Sequence, residues 1–291
     1  MKILLLGNTG QLGWELERTL QPLGEVLALD YPAINMADEG SVSKAVQTYH
    51  PEMIVNATAY TAVDKAESEP ELAEAINGTG PGILAEEARK LNAFLIHYST
   101  DYVFDGKKGT PYIESDQINP LSVYGASKLK GEQVVRQVDG DYLIFRTSWV
   151  YSLRQESGFV KKALQWSRQQ DVLRVVDDQV SNPTWARKLA EVTTDVLRQG
   201  QAYVRARSGL YHLAGKGFTS RYDWVKQILA LDPNRNEQKI KEILRAKSAD
   251  FPVTAERPIF SALNCDLFEE VFGITLSNWE DDLKSAIEIS K

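Results

Sequence analysis

The chain has 291 residues, more than a single hydrophobic core usually holds, so we expect one large domain with a smaller one appended to it. Its net charge of −7, with 43% hydrophobic and 25% charged residues, is that of a soluble globular protein and argues against general binding to nucleic acids or membrane surfaces. A single cysteine, Cys265, excludes a disulfide framework. The first apolar run is too short for a signal peptide, and no stretch approaches the roughly 18 apolar residues of a membrane span. We therefore expect a cytoplasmic protein.

Over residues 1–150, short apolar runs alternate with amphipathic stretches. The apolar runs predict five strands, at 2–7, 25–30, 53–59, 94–100 and 142–150. The stretches between them predict helices, the first through Leu12, Leu16 and Leu20 and the others at 41–49, 71–91 and 122–137. Continuously apolar strands separated by helices are typical of a parallel sheet covered on both faces. The sequence therefore predicts an α/β fold with a Rossmann-type, doubly wound parallel sheet.

The predicted helix at 71–91 contains four residues that disfavour helices, Gly78, Gly80, Pro81 and Gly82. We expect the helix either to be broken there or to bring its backbone unusually close to a neighbour.

Beyond residue 150 the alternation becomes less regular. Helices are predicted at 157–169, 185–199 and 221–231, a strand and turn at 171–184, and a strand at 209–215. We interpret residues 151–291 as mainly a smaller, discontinuous C-terminal domain that binds substrate. Some later strands and helices, at about 171–200, are expected to return to the first domain of residues 1–150.

Three glycines, Gly7, Gly10 and Gly13, follow the first strand and open the first helix. Such glycines permit a tight turn and let a pyrophosphate approach the helix N-terminus, where free N–H groups and the helix dipole favour anions. Asp30 ends the second strand, where a carboxylate typically binds the adenosine ribose. The turn alone would also suit a purely structural role. Together with its flanking strand, helix and acidic residue, it predicts a dinucleotide-binding domain at 1–150.

A second pattern combines Thr100, at the end of a strand, with Tyr124 and Lys128, one helical turn apart. Residues four apart lie on the same face of a helix, so the Lys128 ammonium is expected beside the Tyr124 phenol. A neighbouring positive charge would lower the phenol's pKa from about 10 and let it exchange a proton with a carbonyl or carbinol oxygen. The Thr100 hydroxyl would hold the same oxygen. The alternative is a chance Tyr–Lys pair on a helix surface.

This constellation resembles the extended short-chain dehydrogenase/reductase superfamily and, within it, the dTDP-4-dehydrorhamnose reductase family. The resemblance covers almost the whole chain and is carried by the stretches at 7–16, 55–73, 97–106, 120–132, 145–151, 177–184, 209–215 and 257–263. It implies reduction of the C4 ketone of dTDP-4-dehydro-β-L-rhamnose with NADPH or NADH as hydride donor. Thr100, Tyr124 and Lys128 would be catalytic. The same resemblance implies a small-molecule dTDP-sugar substrate, and it leaves a homodimer open.

The resemblance also implies binding residues. The cofactor would be held by Gly7, Gly10, Gln11, Leu12, Gly13, Asp30, Asn35, Met36, Ala59, Tyr60, Thr61, Tyr124 and Lys128. The substrate would be held by Thr100, Asp101, Tyr124, Trp149 and Arg257. Asn35 and Met36 replace the aspartate–hydrophobic pair that borders the adenine in the family, and Asp30 disfavours a 2′-phosphate, so the choice between NADPH and NADH stays open.

Some residues also have purely structural interpretations. Trp149 would then be a core residue and Arg257 a surface residue, and we expect Asp177 and Asp178 to cap the turn at Asn182 and His97 to lie in the core. Glu15 lies where relatives use acidic residues for a metal-linked dimer; no matching partner is evident near the C-terminus, so we predict no structural metal.

Two other functions remain open. One is a dehydratase or epimerase of the same superfamily, but dehydratases follow the threonine with Asp-Glu, whereas Thr100 is followed by Asp101 and Tyr102. The other is a non-enzymatic regulatory subunit with the same fold, against which the intact Thr100, Tyr124 and Lys128 argue.

Overall fold

The structure is a computed structural model that describes residues 1–155 and 158–289. The strands of the first 150 residues are β1 (Lys2–Leu6), β2 (Glu25–Leu29), β3 (Met53–Asn56), β4 (Phe94–Thr100) and β5 (Tyr142–Thr147). They are followed by β6 (Val150–Tyr151), β7 (Val172–Val176), β8 (Val180–Ser181), β9 (Thr184–Trp185), β10 (Gly209–His212), β11 (Thr219–Ser220) and β12 (Glu242–Ala246).

The helices of the first half are α1 (Gln11–Leu20), α2 (Glu39–Tyr49), α3 (Val63–Ala66), α4 (Pro70–Glu74), α5 (Gly80–Lys90) and α6 (Val123–Gln137). Those of the second half are α7 (Phe159–Gln169), α8 (Ala186–Arg198), α9 (Gln201–Arg205), α10 (Arg221–Leu231), α11 (Asp266–Phe272) and α12 (Trp279–Ile289). Helix α7 lies where a helix was predicted at 157–169, although residue 157 is outside the described residues.

Six strands form the central sheet in the order β2-β1-β3-β4-β5-β10, and all neighbours are parallel. This confirms the predicted Rossmann-type sheet. The chain order reverses at β1, which lies between β2 and β3. In such sheets the ligand cleft forms at the carboxyl ends of the strands beside this reversal.

The strands are continuously apolar because the sheet has a hydrophobic core on each face. In β1, Ile3 and Leu5 belong to one core, whereas Leu4 and Leu6 belong to the other. Helices α1 and α8 cover the first face, and α2 and α5 cover the second. Successive strand residues point to opposite faces of the sheet. Because each face is covered by a hydrophobic core, the buried positions of β1 on both faces require apolar side chains.

The predicted helix at 71–91 is interrupted by a single π-helical segment, Ala75–Thr79, between α4 and α5. Its glycines are also sites of close packing. A Cβ on Gly80 would lie 2.7 Å from the Met36 carbonyl oxygen, and one on Gly131 of α6 would lie 2.2 Å from the carbonyl oxygen of Asn77. The two expected explanations, a break and a close approach, are therefore both present.

The C-terminal half forms a third core, which includes Trp185, Trp224, Trp279 and Leu283. In the segment 171–200, β7 pairs with β12 away from the central sheet, whereas α8 packs against α1. The strand that returns to the central sheet is β10, which adds to β5.

Asp177 and Asp178 have a different role from the expected cap of the turn at Asn182, and that expectation was wrong. Asp177 pairs with Lys247 at 2.9 Å, and Asp178 accepts hydrogen bonds from the backbone N–H and hydroxyl of Ser248. Both carboxylates therefore fasten the segment that follows β12.

Among residues 1–155 and 158–289, no helix has the length and apolar character needed to cross a membrane.

Candidate active site

A cleft of about 520 Å³ opens at the carboxyl ends of β1, β3 and β4. The residues of the predicted cofactor set that line it are Gly7, Gly10, Gln11, Leu12, Asp30, Asn35, Met36, Ala59, Thr61, Tyr124 and Lys128. Sequence positions more than 100 residues apart thus meet at one surface. The exceptions are Gly13 and Tyr60, which do not line it.

The glycine turn is required by backbone packing. Gly7 has a φ of +88°, and a Cβ there would lie 2.8 Å from the backbone of Ala57. A Cβ on Gly13 would lie 2.0 Å from the Gly7 carbonyl oxygen, which explains how Gly13 acts without lining the cleft. Side chains larger than hydrogen would therefore push α1 away from the sheet.

The N-terminus of α1 is suited to an anion. Gly10 provides no side-chain cap, whereas Asp38 caps α2, Ser122 caps α6 and Ser220 caps α10. The first N–H groups of α1 are thus left for another acceptor, and Gly10 and Gln11 line the cleft. This is the chemistry that holds a dinucleotide pyrophosphate, so the residues fit an NAD(P) cofactor.

Asp30 lies beside the glycine turn and lines the cleft. Its carboxylate accepts hydrogen bonds from the backbone N–H and the hydroxyl of Thr9, and from the backbone N–H of Tyr31 at 2.8 Å. These contacts fix the carboxylate at the end of β2, where the sequence predicts a ribose contact.

Tyr124 and Lys128 occupy the same face of α6 and both line the cleft. The Tyr124 phenol lies near the Thr100 hydroxyl, which is at the end of β4. The Thr100 hydroxyl also contacts the Asp101 carboxylate at 3.2 Å. The strand end and the helix face therefore converge, as the spacing predicts.

The electrostatics of Tyr124 differ from the expectation. Burial raises the pKa of Tyr124 above its usual value, the charge of Asp101 raises it further, and the hydrogen bond with Thr100 lowers it. Burial lowers the pKa of Lys128 to about 8, and the charge of Glu132 opposes that shift. The pKa of the phenol is therefore raised rather than lowered as expected, because desolvation is the largest cause of the shift.

Lys128 is held by groups beneath the cleft. Lys128 is only 2% exposed, and its ammonium donates to the Tyr98 carbonyl oxygen at 2.5 Å. His97 is fully buried and its Nδ1 contacts the Asn56 amide at 3.1 Å, which places it in the core. Burial and then the charge of Lys128 hold the pKa of His97 well below its usual value, so it is neutral.

Asp101 lies behind Thr100 in a buried network. Its carboxylate accepts hydrogen bonds from Ser261 at 2.5 Å and Ser181 at 3.1 Å. Burial raises its pKa to about 6, and the serine and threonine hydroxyls oppose that shift. The network joins the end of β4 to β8 and to the C-terminal segment.

Trp149 and Arg257, both expected at the substrate, lie outside the residues that line the main cleft. Trp149 has a φ of +40° and is half-buried against Trp224, with ring centroids 5.5 Å apart. Such strain at a non-glycine residue is typical of functional sites. The Arg257 guanidinium pairs with Asp64 at 2.6 Å.

Asn77 and Gln155 are among the residues at the site that the sequence motifs do not predict. The Asn77 amide, in the π-helical segment, accepts a hydrogen bond from the backbone N–H of Tyr60 at 2.8 Å and donates one to the Ser127 hydroxyl at 3.0 Å. It therefore joins the segment after β3 to α6. Gln155 lines the cleft and donates to the Thr9 carbonyl oxygen. The glycines around Asn77 were a usable sign of close packing there; nothing in the sequence marks Gln155.

Glu15 is buried in α1, near Arg187, Arg18 and Glu191. Burial raises its pKa, and the arginine charges oppose that shift.

Comparison with known proteins identifies the family. A family model described as "RmlD substrate binding domain" matches residues 1–291. The dTDP-4-dehydrorhamnose reductase of Burkholderia thailandensis is 39% identical over 285 residues, covering 96% of this chain and 95% of that protein. This chain belongs to the dTDP-4-dehydrorhamnose reductase family.

Solved structures of the dTDP-4-dehydrorhamnose reductase family share the fold over the full length. The crystal structure of the reductase from Clostridium acetobutylicum has a TM-score of 0.91 at 35% identity and covers 100% of this chain and 99% of its own. The Bacillus anthracis reductase, solved in complex with NADP, has a TM-score of 0.90 at 29% identity with the same coverage.

Proposed function

We propose that this chain reduces the C4 ketone of dTDP-4-dehydro-β-L-rhamnose to dTDP-β-L-rhamnose with NAD(P)H, as a cytoplasmic enzyme. The observation that carries the proposal is that Tyr124 and Lys128 line one cleft, next to Thr100 and beside an uncapped helix N-terminus. The proposal includes the homodimer that the resemblance leaves open.

The cofactor would be held by the glycine turn, the N-terminus of α1, Asp30 and Lys128, and when bound it supplies the hydride for C4. Hydride addition places negative charge on the ketone oxygen, so a proton donor and hydrogen-bond donors must lie where that charge develops. Thr100 and Tyr124 provide them. The Tyr124 proton goes to the oxygen, which becomes the C4 hydroxyl.

The direction of the Tyr124 pKa shift suits reduction. A phenol with a raised pKa stays protonated at neutral pH and is ready to donate. Lys128, with a pKa of about 8, is mostly charged at neutral pH and stabilises the phenolate left after transfer. The Thr100 hydroxyl supports the same oxygen. Burial thus keeps the phenol protonated, and the charge of Lys128 lowers the free energy needed to ionise it during the reaction.

The test supplies the purified protein with dTDP-4-dehydro-6-deoxy-D-glucose, a C3,C5-epimerase and NADH or NADPH, and identifies the product by NMR. We expect dTDP-β-L-rhamnose to form only when the epimerase is present. Reduction without the epimerase would assign a different sugar stereochemistry. Elimination or epimerisation without net consumption of reduced cofactor would overturn the proposal.

A further inference from the structure

Arg221 has an unusual setting at the first position of α10. Its guanidinium carbon lies 3.6 Å from the ring centroid of Trp149, 4.6 Å from that of Phe159 and 5.4 Å from that of Trp224. Trp149 and Phe159 each stack on Trp224, with centroids 5.5 and 4.7 Å apart. Three aromatic rings therefore fix the position of one partly buried cation.

Among the described residues, the Arg221 guanidinium forms no direct ion pair. Throughout residues 1–155 and 158–289, no carboxylate pairs with its guanidinium, whereas Arg257 pairs with Asp64 and Arg174 pairs with Asp250. Burial lowers the pKa of Arg221 to about 10, and Tyr102 and Asp101 oppose that shift. Aromatic faces attract a cation but leave its N–H donors available. A desolvated guanidinium with free donors is suited to an anion.

Arg221 also lies between two parts of the molecule. On one side its charge acts on Asp101 and Tyr102, the residues after Thr100, and the Tyr102 ring packs edge-on against Tyr124 at 5.4 Å. On the other side Arg221 lines a second cleft of about 530 Å³, whose apolar walls include Phe159, Trp166, Val172 and Phe251. A ligand with a polar sugar, a central diphosphate and a flat base matches that order of environments.

We propose that Arg221 binds the diphosphate of the sugar nucleotide, with the sugar toward Thr100 and Tyr124 and the nucleoside toward the second cleft. This inference rests on the proposed function and adds a binding residue to it. A guanidinium suits this role because its paired donors match phosphate oxygens in a bidentate manner. Arg257, already neutralised by Asp64, would contribute less charge to this site.

The experiment measures dTDP binding by isothermal titration calorimetry for the wild type, Arg221→Gln, Arg221→Lys and Lys226→Gln. Lys226 is an exposed cation on the same helix, so its variant removes an equal charge without touching the site. We expect Arg221→Gln to weaken dTDP binding roughly ten- to hundredfold, the scale of a charge-assisted contact. The dTDP affinity of Arg221→Lys should lie between those of the wild type and Arg221→Gln, because lysine keeps the charge and loses the bidentate geometry. Lys226→Gln should bind as the wild type does.

A second measurement separates binding from folding. The dissociation constant for NADH should be the same in all four proteins, because Arg221 is not among the residues of the main cleft. Salt should weaken dTDP binding less in Arg221→Gln than in the wild type, because one charge is lost. If Arg221→Gln does not fold, the decision falls to Arg221→Lys. Wild-type dTDP affinity in the folded variants would overturn the role of Arg221, whereas a wild-type protein that binds no dTDP would overturn the proposed function itself.

Discussion

The guanidinium of Arg257 donates to the carboxylate of Asp64 at 2.6 Å, and this ion pair joins the C-terminal segment to α3. The pair holds the pKa of Asp64 below its usual value, so the carboxylate is charged at neutral pH. If Arg257 contacts the diphosphate, it does so as a neutralised pair, and its charge contributes less to binding than that of a free arginine.

Arg257→Ala is expected to raise the KM for the dTDP-sugar by roughly tenfold, the lower end of a charge-assisted contact. The NADH dissociation constant should not change. Asp64→Asn is the matched variant, because it frees Arg257 from its partner. If Arg257 contacts substrate, Asp64→Asn leaves KM unchanged or lowers it. If both variants raise KM equally, the pair acts only by tethering the segment. Steady-state kinetics on both proteins distinguish these outcomes.

Tyr124→Phe removes the proposed proton donor and keeps the ring against Tyr102. We expect kcat to fall by about 10²-fold or more, the usual scale for a positioned general acid. Cofactor affinity should stay near that of the wild type, since the phenol hydroxyl contributes chemistry more than binding. Single-turnover reduction and fluorescence titration with NADH check the two parts. Near wild-type turnover would mean that the proton takes another route.

Stability should fall in acid because two histidines are buried in the neutral form. Burial holds the pKa of His97 well below its usual value and that of His212 at about 3. Below about pH 6.5 the unfolded chain binds these protons and the folded chain does not. Each histidine therefore lowers the free energy of unfolding by about 1.4 kcal/mol for each pH unit below that value. Asp101 has the opposite sign. Its folded pKa of about 6 exceeds the unfolded value of about 3.9, so it offsets one histidine between those limits.

His212→Asn isolates one of these contributions. The His212 Nδ1 faces the carbonyl oxygens of Tyr112 at 3.0 Å and Asn264 at 3.2 Å, and an asparagine amide places a donor near the same point. We expect urea unfolding between pH 6.5 and 4 to show a slope smaller by about 1.4 kcal/mol per pH unit than in the wild type. Parallel pH profiles of the two proteins would contradict the assignment of His212 as a buried neutral group.

Gly13→Ala tests the packing of α1 on the sheet. Its Cβ would lie 2.0 Å from the Gly7 carbonyl oxygen, which belongs to backbone and cannot rotate away. We expect a loss of about 1–3 kcal/mol in the free energy of unfolding, with weaker NADH binding because the pyrophosphate site moves with the helix. Gly140→Ala is the control, because its nearest neighbour would be the Arg89 Cβ at 3.5 Å. Similar denaturation midpoints in the two variants would show that α1 adapts without cost.

The parts of the fold and site that the sequence predicts are those with a local cause. The strand β1 is readable because both of its faces are buried, so Ile3 to Leu6 form an uninterrupted apolar run. Tyr124 and Lys128 are readable because four residues make a helical turn. By contrast, Arg221 opens a helix in an unremarkable sequence, and only the folded chain surrounds it with Trp149 and Phe159.

Long-range burial also decides what spacing alone leaves undetermined. The Asn182 amide donates to the carbonyl oxygens of Gly215, Gly217 and Leu263, although its sequence setting before proline predicts only a turn. The direction of the Tyr124 pKa shift also depends on long-range packing, since desolvation is set by the surroundings that α6 acquires in the fold.

The choice between NADH and NADPH should be governed by Asp30. Its carboxylate is held at the cleft by Thr9 and Tyr31, and among the described residues that line this cleft the only lysine or arginine is Lys128, on the catalytic side. A 2′-phosphate at the adenosine ribose would thus meet a carboxylate that is held in place, while the nearby Arg154 guanidinium is already engaged by the Thr9 carbonyl oxygen at 3.2 Å and by the Trp14 ring. Two charges about 4 Å apart repel by about 1 kcal/mol in water and by about 4 kcal/mol in a partly buried site.

We therefore expect kcat/KM to be at least roughly tenfold higher with NADH than with NADPH, the ratio that corresponds to about 1.4 kcal/mol. Asp30→Asn should reduce that ratio by improving NADPH, with little change for NADH if the ribose hydrogen bond is kept by the amide oxygen. Steady-state kinetics with each cofactor at saturating dTDP-sugar provide the test, and equal kcat/KM values in the wild type would show that another group accommodates the phosphate.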